Sequence, residues 1–183
     1  MQATARILLE EGYDKLSTNR IAKAAGVSVG SLYQYFPNKQ ALVMALAERH
    51  NREMMDSLAL HVTTLVSAPI PEAVQAYVHT SVQHHSHEPE LGRALTVQML
   101  SLGLDLIEDS NTRARPLIRA WLSAHAHEII PKNLDMAAWM LVHLVEAAVH
   151  GALLEDAAML KDPDFESELC AMVVRYLVGS SEG

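Results

Sequence analysis

One cysteine, Cys170, in a chain of 183 residues leaves no partner for an internal disulfide and no thiolate set for a metal site, so nothing here points to an oxidising compartment. Glycine and proline are sparse, eight and seven residues, and aromatics make up only 5% of the chain. Punctuation is therefore rare, and no segment alternates as a surface strand does. No internal repeat and no low-complexity tract is visible. The start, MQATARILLEEG, lacks the basic stretch and apolar core of a secretory signal and reads as an amphipathic helix already under way. Positive charge is also in short supply: 14 Lys and Arg stand against 22 Asp and Glu, a formal charge of -8 that at face value argues against nucleic acid as a partner.

What is present reverses that last point. Hydrophobic residues make up 50% and charged residues 20%, a composition that folds around a core rather than staying disordered. The charge is uneven. Residues 1–52 carry seven basic and four acidic side chains, giving +3, whereas the remaining 131 residues carry seven basic and eighteen acidic, giving -11. A basic head on an acidic body suggests two tasks, and a division at 1–45 and 46–183.

The pattern predicts an all-α protein of about nine helices. Gly12 ends the first. Ser17 or Thr18 opens a second that closes at Gly26, and Ser28 caps a short third ending near Phe36-Pro37. Asn38 caps a long fourth from Lys39 to about Thr64, ended by Ser67-Ala-Pro-Ile-Pro71. Further helices are expected at about 71–86, 89–107, 112–128, 134–155 and 164–178, with the polar run 108–112 as a break. Residues 136–154 approach the length of a membrane span, but Glu146 at the centre, His143 and His150 beside it and acidic flanks favour a soluble helix buried on two faces. No membrane partner and a cytoplasmic location are expected.

Helix, tight turn and helix over residues 18–36 form the layout in which the second helix enters the DNA major groove. Ile21, Ala22 and Ala25 give the first of these helices a small apolar face. Ser28, Val29, Ser31, Tyr33, Gln34 and Tyr35 remain for the outside of the second. Hydroxyls and amides at a helix start suit phosphate, Gln34 suits adenine, and Val29 suits a thymine methyl.

The run Thr18-Asn-Arg-Ile-Ala-Lys-Ala-Ala-Gly-Val-Ser-Val-Gly-Ser-Leu-Tyr-Gln-Tyr-Phe-Pro-Asn-Lys-Gln-Ala-Leu42, with Gly12-Tyr13 before it, resembles the signature of the TetR family of transcriptional regulators. The likeness covers roughly the first quarter of the chain. It implies that Thr18, Tyr35 and Lys39 contact phosphate and that Arg20, Ser28, Val29, Ser31, Tyr33 and Gln34 face the groove. It also implies a homodimer on an inverted-repeat operator, released by a small-molecule effector bound in the body, with the long fourth helix as the link. Gln40 stands where the family often has Glu, and Met1 falls about one turn inside the family's first helix, so contacts from an arm before that helix are not carried over.

For the dimer interface the last two helices are favoured, with Ala147, Ala148, Gly151, Phe165, Leu169, Met172 and Tyr176 as candidates. Polar groups on otherwise apolar helices nominate Tyr77, His84, Gln98, Trp121, Trp139, His143, Glu146 and His150 for a largely apolar effector pocket. His143, Glu146 and His150 share one helical face. They invite an alternative, a metal- or pH-responsive regulator, beside the plainer one of an internal hydrogen-bonded cluster. His84-His85-Ser86-His87 reads as a surface turn. No catalytic signature of fixed spacing is present, so an enzyme, a resident cofactor and a resident metal are not expected.

Overall fold

Local hydrogen-bond chemistry sets most helix ends in the computed structural model, which describes residues 1–103 and 106–179. Ser17 accepts from the Arg20 amide and opens α2 (Thr18–Ala25), which follows α1 (Gln2–Glu11). Gly26 closes α2 in the left-handed region at φ 68°, ψ 27°, a conformation that disfavours any Cβ. The Ser28 hydroxyl accepts from the Ser31 amide at 3.0 Å to start α3 (Val29–Tyr35). Asn38 Oδ1 accepts from the Ala41 amide at 2.8 Å to start α4 (Lys39–Thr64). Then come α5 (Ile70–His87), α6 (Pro89–Ser101), α7 (Leu106–Ala124), α8 (Leu134–Glu155), a 3-10 turn (Ala157–Lys161) and α9 (Pro163–Val178), with no strand among the described residues.

Three helices differ from those expected. α6 stops at Ser101 rather than 107, because Gly103 turns the chain at φ +67° and the Leu102 amide folds back onto the carbonyls of Gln98 and Met99. The run 108–112 lies inside α7, whose helix also accommodates Pro116 and ends at Ala124 rather than 128. Residues 84–87 are the last turn of α5, not a surface turn, and His85 is buried there. Burial, rather than local polarity, decides this last point.

The chain forms two compact units, Met1–Arg52 with Glu90–Leu106, and Glu53–Pro89 with Ile107–Gly183. The boundary falls inside α4, and the first unit is discontinuous in sequence, unlike the contiguous pieces 1–45 and 46–183. The reason is the stripe Leu91, Leu95 and Met99 on α6, which shares a core with Ile7, Leu8, Leu16, Ile21, Leu42 and Leu46. In the second unit α8 supplies Val142, Val145, Val149 and Leu153, all fully buried, against Val78 of α5, Leu122 of α7 and Leu177 of α9. Each such side chain contributes about 1.5–3 kcal/mol through its removal from water. α8 is apolar and long enough to cross a membrane, yet half of its most apolar window is buried inside the protein. It is the central core helix of this unit.

Candidate functional site

The first unit presents α3. None of its seven residues is buried, although Leu32 and the following Phe36 rest partly against the core. Val29, Tyr33, Gln34 and Tyr35 are exposed, Tyr35 at 77%. Ser28 and Ser31 are exposed too, but their hydroxyls lie 2.7 Å apart, and that of Ser28 also caps the helix. A Cβ built on Gly30 would meet nothing within 4 Å, so the backbone there is bare toward the outside.

The remaining candidates in this unit are held from within. Thr18 is buried, and its hydroxyl donates to the Tyr33 hydroxyl at 2.8 Å, tying the start of α2 to α3. Arg20 pairs with Glu11 and donates to the Lys15 carbonyl at 3.0 Å. That guanidinium holds the Glu11 carboxyl below its ordinary range. Lys39 Nζ donates to the Tyr13 carbonyl at 3.0 Å and lies 4.2 Å from the centre of the Tyr13 ring. Val27, in the turn between α2 and α3, is exposed.

The second unit contains two adjoining cavities that share Leu58 and Tyr77. The larger has an empty volume of about 430 Å³, part of it open to solvent, with Val74, Tyr77, Ile118, Trp121, Leu141 and Val173 among its walls. The smaller, about 260 Å³, is more polar, and includes Tyr77, Thr80, Ser81, Asn111 and Glu146. Four buried polar atoms on these walls have no hydrogen-bond partner: Tyr77 Oη, Trp121 Nε1, Asn111 Oδ1 and Glu146 Oε2. Burial pushes the Tyr77 phenol well above its usual range and raises the Glu146 carboxyl to about 7, against a weak lowering by the Ser81 hydroxyl, which donates to Oε1 at 3.4 Å.

Glu146 also belongs to a cluster with His85 and His150, whose donor atoms all lie within 4.8 Å of one another, a spacing able to hold a small cation. Both histidines donate through Nδ1 to the carbonyl four residues back, His85 to Ser81 at 2.8 Å and His150 to Glu146 at 2.9 Å. His143 is not in this cluster. Its ring stacks on Trp139 at 4.2 Å on the outer side of α8, because α8 turns that face away from the core. Trp139 likewise lines neither cavity, and His84, whose ring sits 5.1 Å from that of His85, lies outside both. Gln98 stands in the first unit, where it donates to the Ser101 hydroxyl at 2.9 Å. Of the eight residues nominated for a pocket, Tyr77, Trp121 and Glu146 line the cavities, with His150 beside Glu146. The sequence pattern does not single out Asn111, whose polar run reads as a helix break, or His85, which stands in a row of four polar residues that reads as surface, yet both are buried.

On the outside of α8 and α9, Met136, Trp139, Met140 and Met172 are exposed, and Tyr176 Oη lies 3.8 Å from Met140 Sδ. Ala147 is exposed, and Ala148, Gly151 and Phe165 are half-buried. Leu169, in contrast, is buried in the core of its own chain with Val173 and Leu177, one and two turns further along the same stripe of α9, whereas Met172 falls just outside that stripe.

Comparison with known proteins gives two family matches: "Bacterial regulatory proteins, tetR family" over residues 1–46 and "Tetracyclin repressor-like, C-terminal domain" over residues 69–177. The nucleoid occlusion factor SlmA of Actinobacillus pleuropneumoniae is 31% identical over 106 residues, which is 58% of this chain and 49% of that protein. The chain thus spans about half the length of the curated relatives it matches. Among solved structures, SmeT, the repressor of the Stenotrophomonas maltophilia multidrug efflux pump SmeDEF, superposes with a TM-score of 0.75 at 21% identity, over 98% of this chain and 89% of that one. The fatty acid degradation regulator FadR from Bacillus halodurans superposes with a TM-score of 0.66 at 19% identity, over 92% and 95%. At these identities the structures share the fold.

Proposed function

Because the chain belongs to the TetR family of bacterial regulatory proteins, we propose that it is a homodimeric, non-enzymatic transcriptional repressor that leaves its operator when a small, largely apolar molecule enters the cavities of the second unit. The carrying observation is α3, a helix with no buried residue at the outer edge of a well-packed core. Val29 and Gln34 read base edges from it, while Ser28, Ser31, Tyr33, Tyr35 and Lys39 grip phosphate. Thr18 and Arg20 act one step back, Thr18 bonded to Tyr33 and Arg20 paired with Glu11, whereas the Lys39 ammonium has protons to offer beyond the one it gives the Tyr13 carbonyl. The +3 charge of residues 1–52 supplies the attraction to DNA, and the acidic remainder is repelled from it.

Release rests on geometry. Half-sites of an inverted repeat lie about 34 Å apart, so two heads bind together only in one spacing. α4 has 26 residues, about 39 Å at 1.5 Å per residue. Its first turns belong to the core of the first unit through Leu42 and Leu46, and its later turns line the larger cavity through Leu58 and His61. A ligand that prefers one orientation of α4 changes the spacing, with a coupling of about 1–3 kcal/mol. Likeness to the SmeT repressor supports this reading, as does the apolar character of the larger cavity.

The test is to select duplexes from a random pool with purified protein and measure their binding by fluorescence anisotropy over a range of salt. The expected result is a short inverted repeat bound by one dimer, with affinity falling steeply as salt rises. Recovery of no inverted repeat would reject the proposal.

A further inference from the structure

The inference here deepens the reading of the cavities as an effector site by specifying what they accept. A protein rarely leaves one buried polar atom without a partner, and here, among the described residues, four belong to side chains on the walls of two adjoining cavities. Their chemistry differs from end to end. In the larger cavity stands Trp121 Nε1, a donor only, among mostly aliphatic walls, and the Tyr77 hydroxyl belongs to a residue that lines both cavities. In the smaller cavity they are Asn111 Oδ1 and Glu146 Oε2, both acceptors. His150 Nδ1 lies 3.5 Å from the same Glu146 oxygen but directs its proton to the Glu146 carbonyl.

Among the described residues no Lys or Arg lines either cavity, and the histidine on the walls, His61, is hydrogen-bonded through Nδ1 to the Thr80 hydroxyl at 2.8 Å. An anionic head group would therefore find no counter-charge and would face the Glu146 carboxyl. A cationic donor finds two acceptors and restores the ion that burial disfavours. We propose that the effector is an amphiphilic weak base, its apolar or aromatic body in the larger cavity and its protonated amine on Glu146 Oε2 and Asn111 Oδ1. Carboxylate-bearing amphiphiles such as free fatty acids are excluded from the site by the same groups. The elevated Glu146 pKa agrees, since a carboxyl near neutrality ionises readily once a cation arrives.

Three probes with one body and different heads separate the possibilities: 4-phenylbutylamine, 4-phenylbutanol and 4-phenylbutyrate. Each is titrated calorimetrically into the full chain, and quenching of Trp121 emission, taken as the difference between wild type and Trp121→Phe, locates the bound probe. The amine is expected to bind about tenfold tighter than the alcohol, the value of one charge-assisted buried hydrogen bond, and the acid weakest of all. Glu146→Gln is expected to bring the ratio of amine to alcohol affinity down to about one. Glu146→Asp, which keeps the charge one methylene further back, is expected to retain part of it and serves if Glu146→Gln does not fold. Binding of the acid as tight as that of the amine, or an amine preference that survives Glu146→Gln, would overturn the proposal while leaving the effector site standing. Should none of the three quench Trp121, the effector-site reading falls, and this inference with it.

Discussion

The Thr18 hydroxyl donates to the Tyr33 hydroxyl at 2.8 Å, from a buried position at the start of α2 to an exposed one in α3. Tyr33 thereby accepts from within the protein, and its own proton is directed to an outside acceptor such as a phosphate oxygen. The family resemblance places Thr18 on phosphate, whereas here its hydroxyl is engaged by Tyr33.

Thr18→Val keeps shape and removes that donor. It should lower stability by about 1 kcal/mol, read as a shift in the urea midpoint, and weaken binding to the operator. Tyr33→Phe should weaken DNA binding to a similar degree, with the double variant no worse than either single one. Fully additive losses would separate the two residues and refute the supporting role.

Lys39→Ala and Gln34→Ala should differ in kind. Lys39 reaches the Tyr13 carbonyl and ring, so its loss is expected to cost some stability and, if it also meets phosphate, to weaken all duplexes alike and lower the salt slope by about 1. Gln34, exposed on α3, should alter base preference with the slope intact. The same change in preference from both variants would remove this division.

Glu146 gives a pH signature. Its folded pKa of about 7 lies above the ordinary 4.5, so the folded state holds the proton more tightly. Its contribution is fully present below pH 4.5, declines as pH rises through 7 and is flat beyond. Glu146→Gln removes this dependence. Relative to wild type it should gain stability between pH 5 and pH 8, by up to about 3 kcal/mol at 1.4 kcal/mol per pKa unit. Taking the difference between two denaturation series cancels groups common to both. A difference that does not change with pH would show that Glu146 titrates normally.

Met140 is 45% exposed and Met172 50% on neighbouring outer faces of α8 and α9. If that face joins two copies, Met140→Glu should convert dimer to monomer in sedimentation while circular dichroism stays helical, and inverted-repeat binding should be lost. An unchanged dimer would place the interface elsewhere. Leu169→Ala, by contrast, should cost about 2–5 kcal/mol of stability, because it opens a cavity in the core.

Fold and site were legible to different depths. The ends of α2, α3 and α4 follow from Ser17, Gly26, Ser28 and Asn38, whose capping bonds reach three or four residues and are therefore written locally. The join of α6 and α7 was misplaced because Gly103 takes a left-handed turn within an apolar stretch, and because a polar run is as compatible with a helix surface as with a loop. In the cavities, Tyr77, Trp121 and Glu146 were recognisable as polar groups on apolar faces. Asn111 was not, since its polar neighbours hid its burial.

By itself, then, the sequence determined the all-helical class, the polarity of a basic head and an acidic body, and the helix-turn-helix with its exposed α3, because capping, charge and short-range periodicity act between near neighbours. Only the tertiary structure decided that α6 shares the core of the head, that His85 rather than His143 joins Glu146 and His150, and that Leu169 turns inward while Met172 stays out. Those outcomes depend on which faces of helices distant in sequence pack together, and apolar burial, being non-directional, leaves no record of its partner in the local pattern.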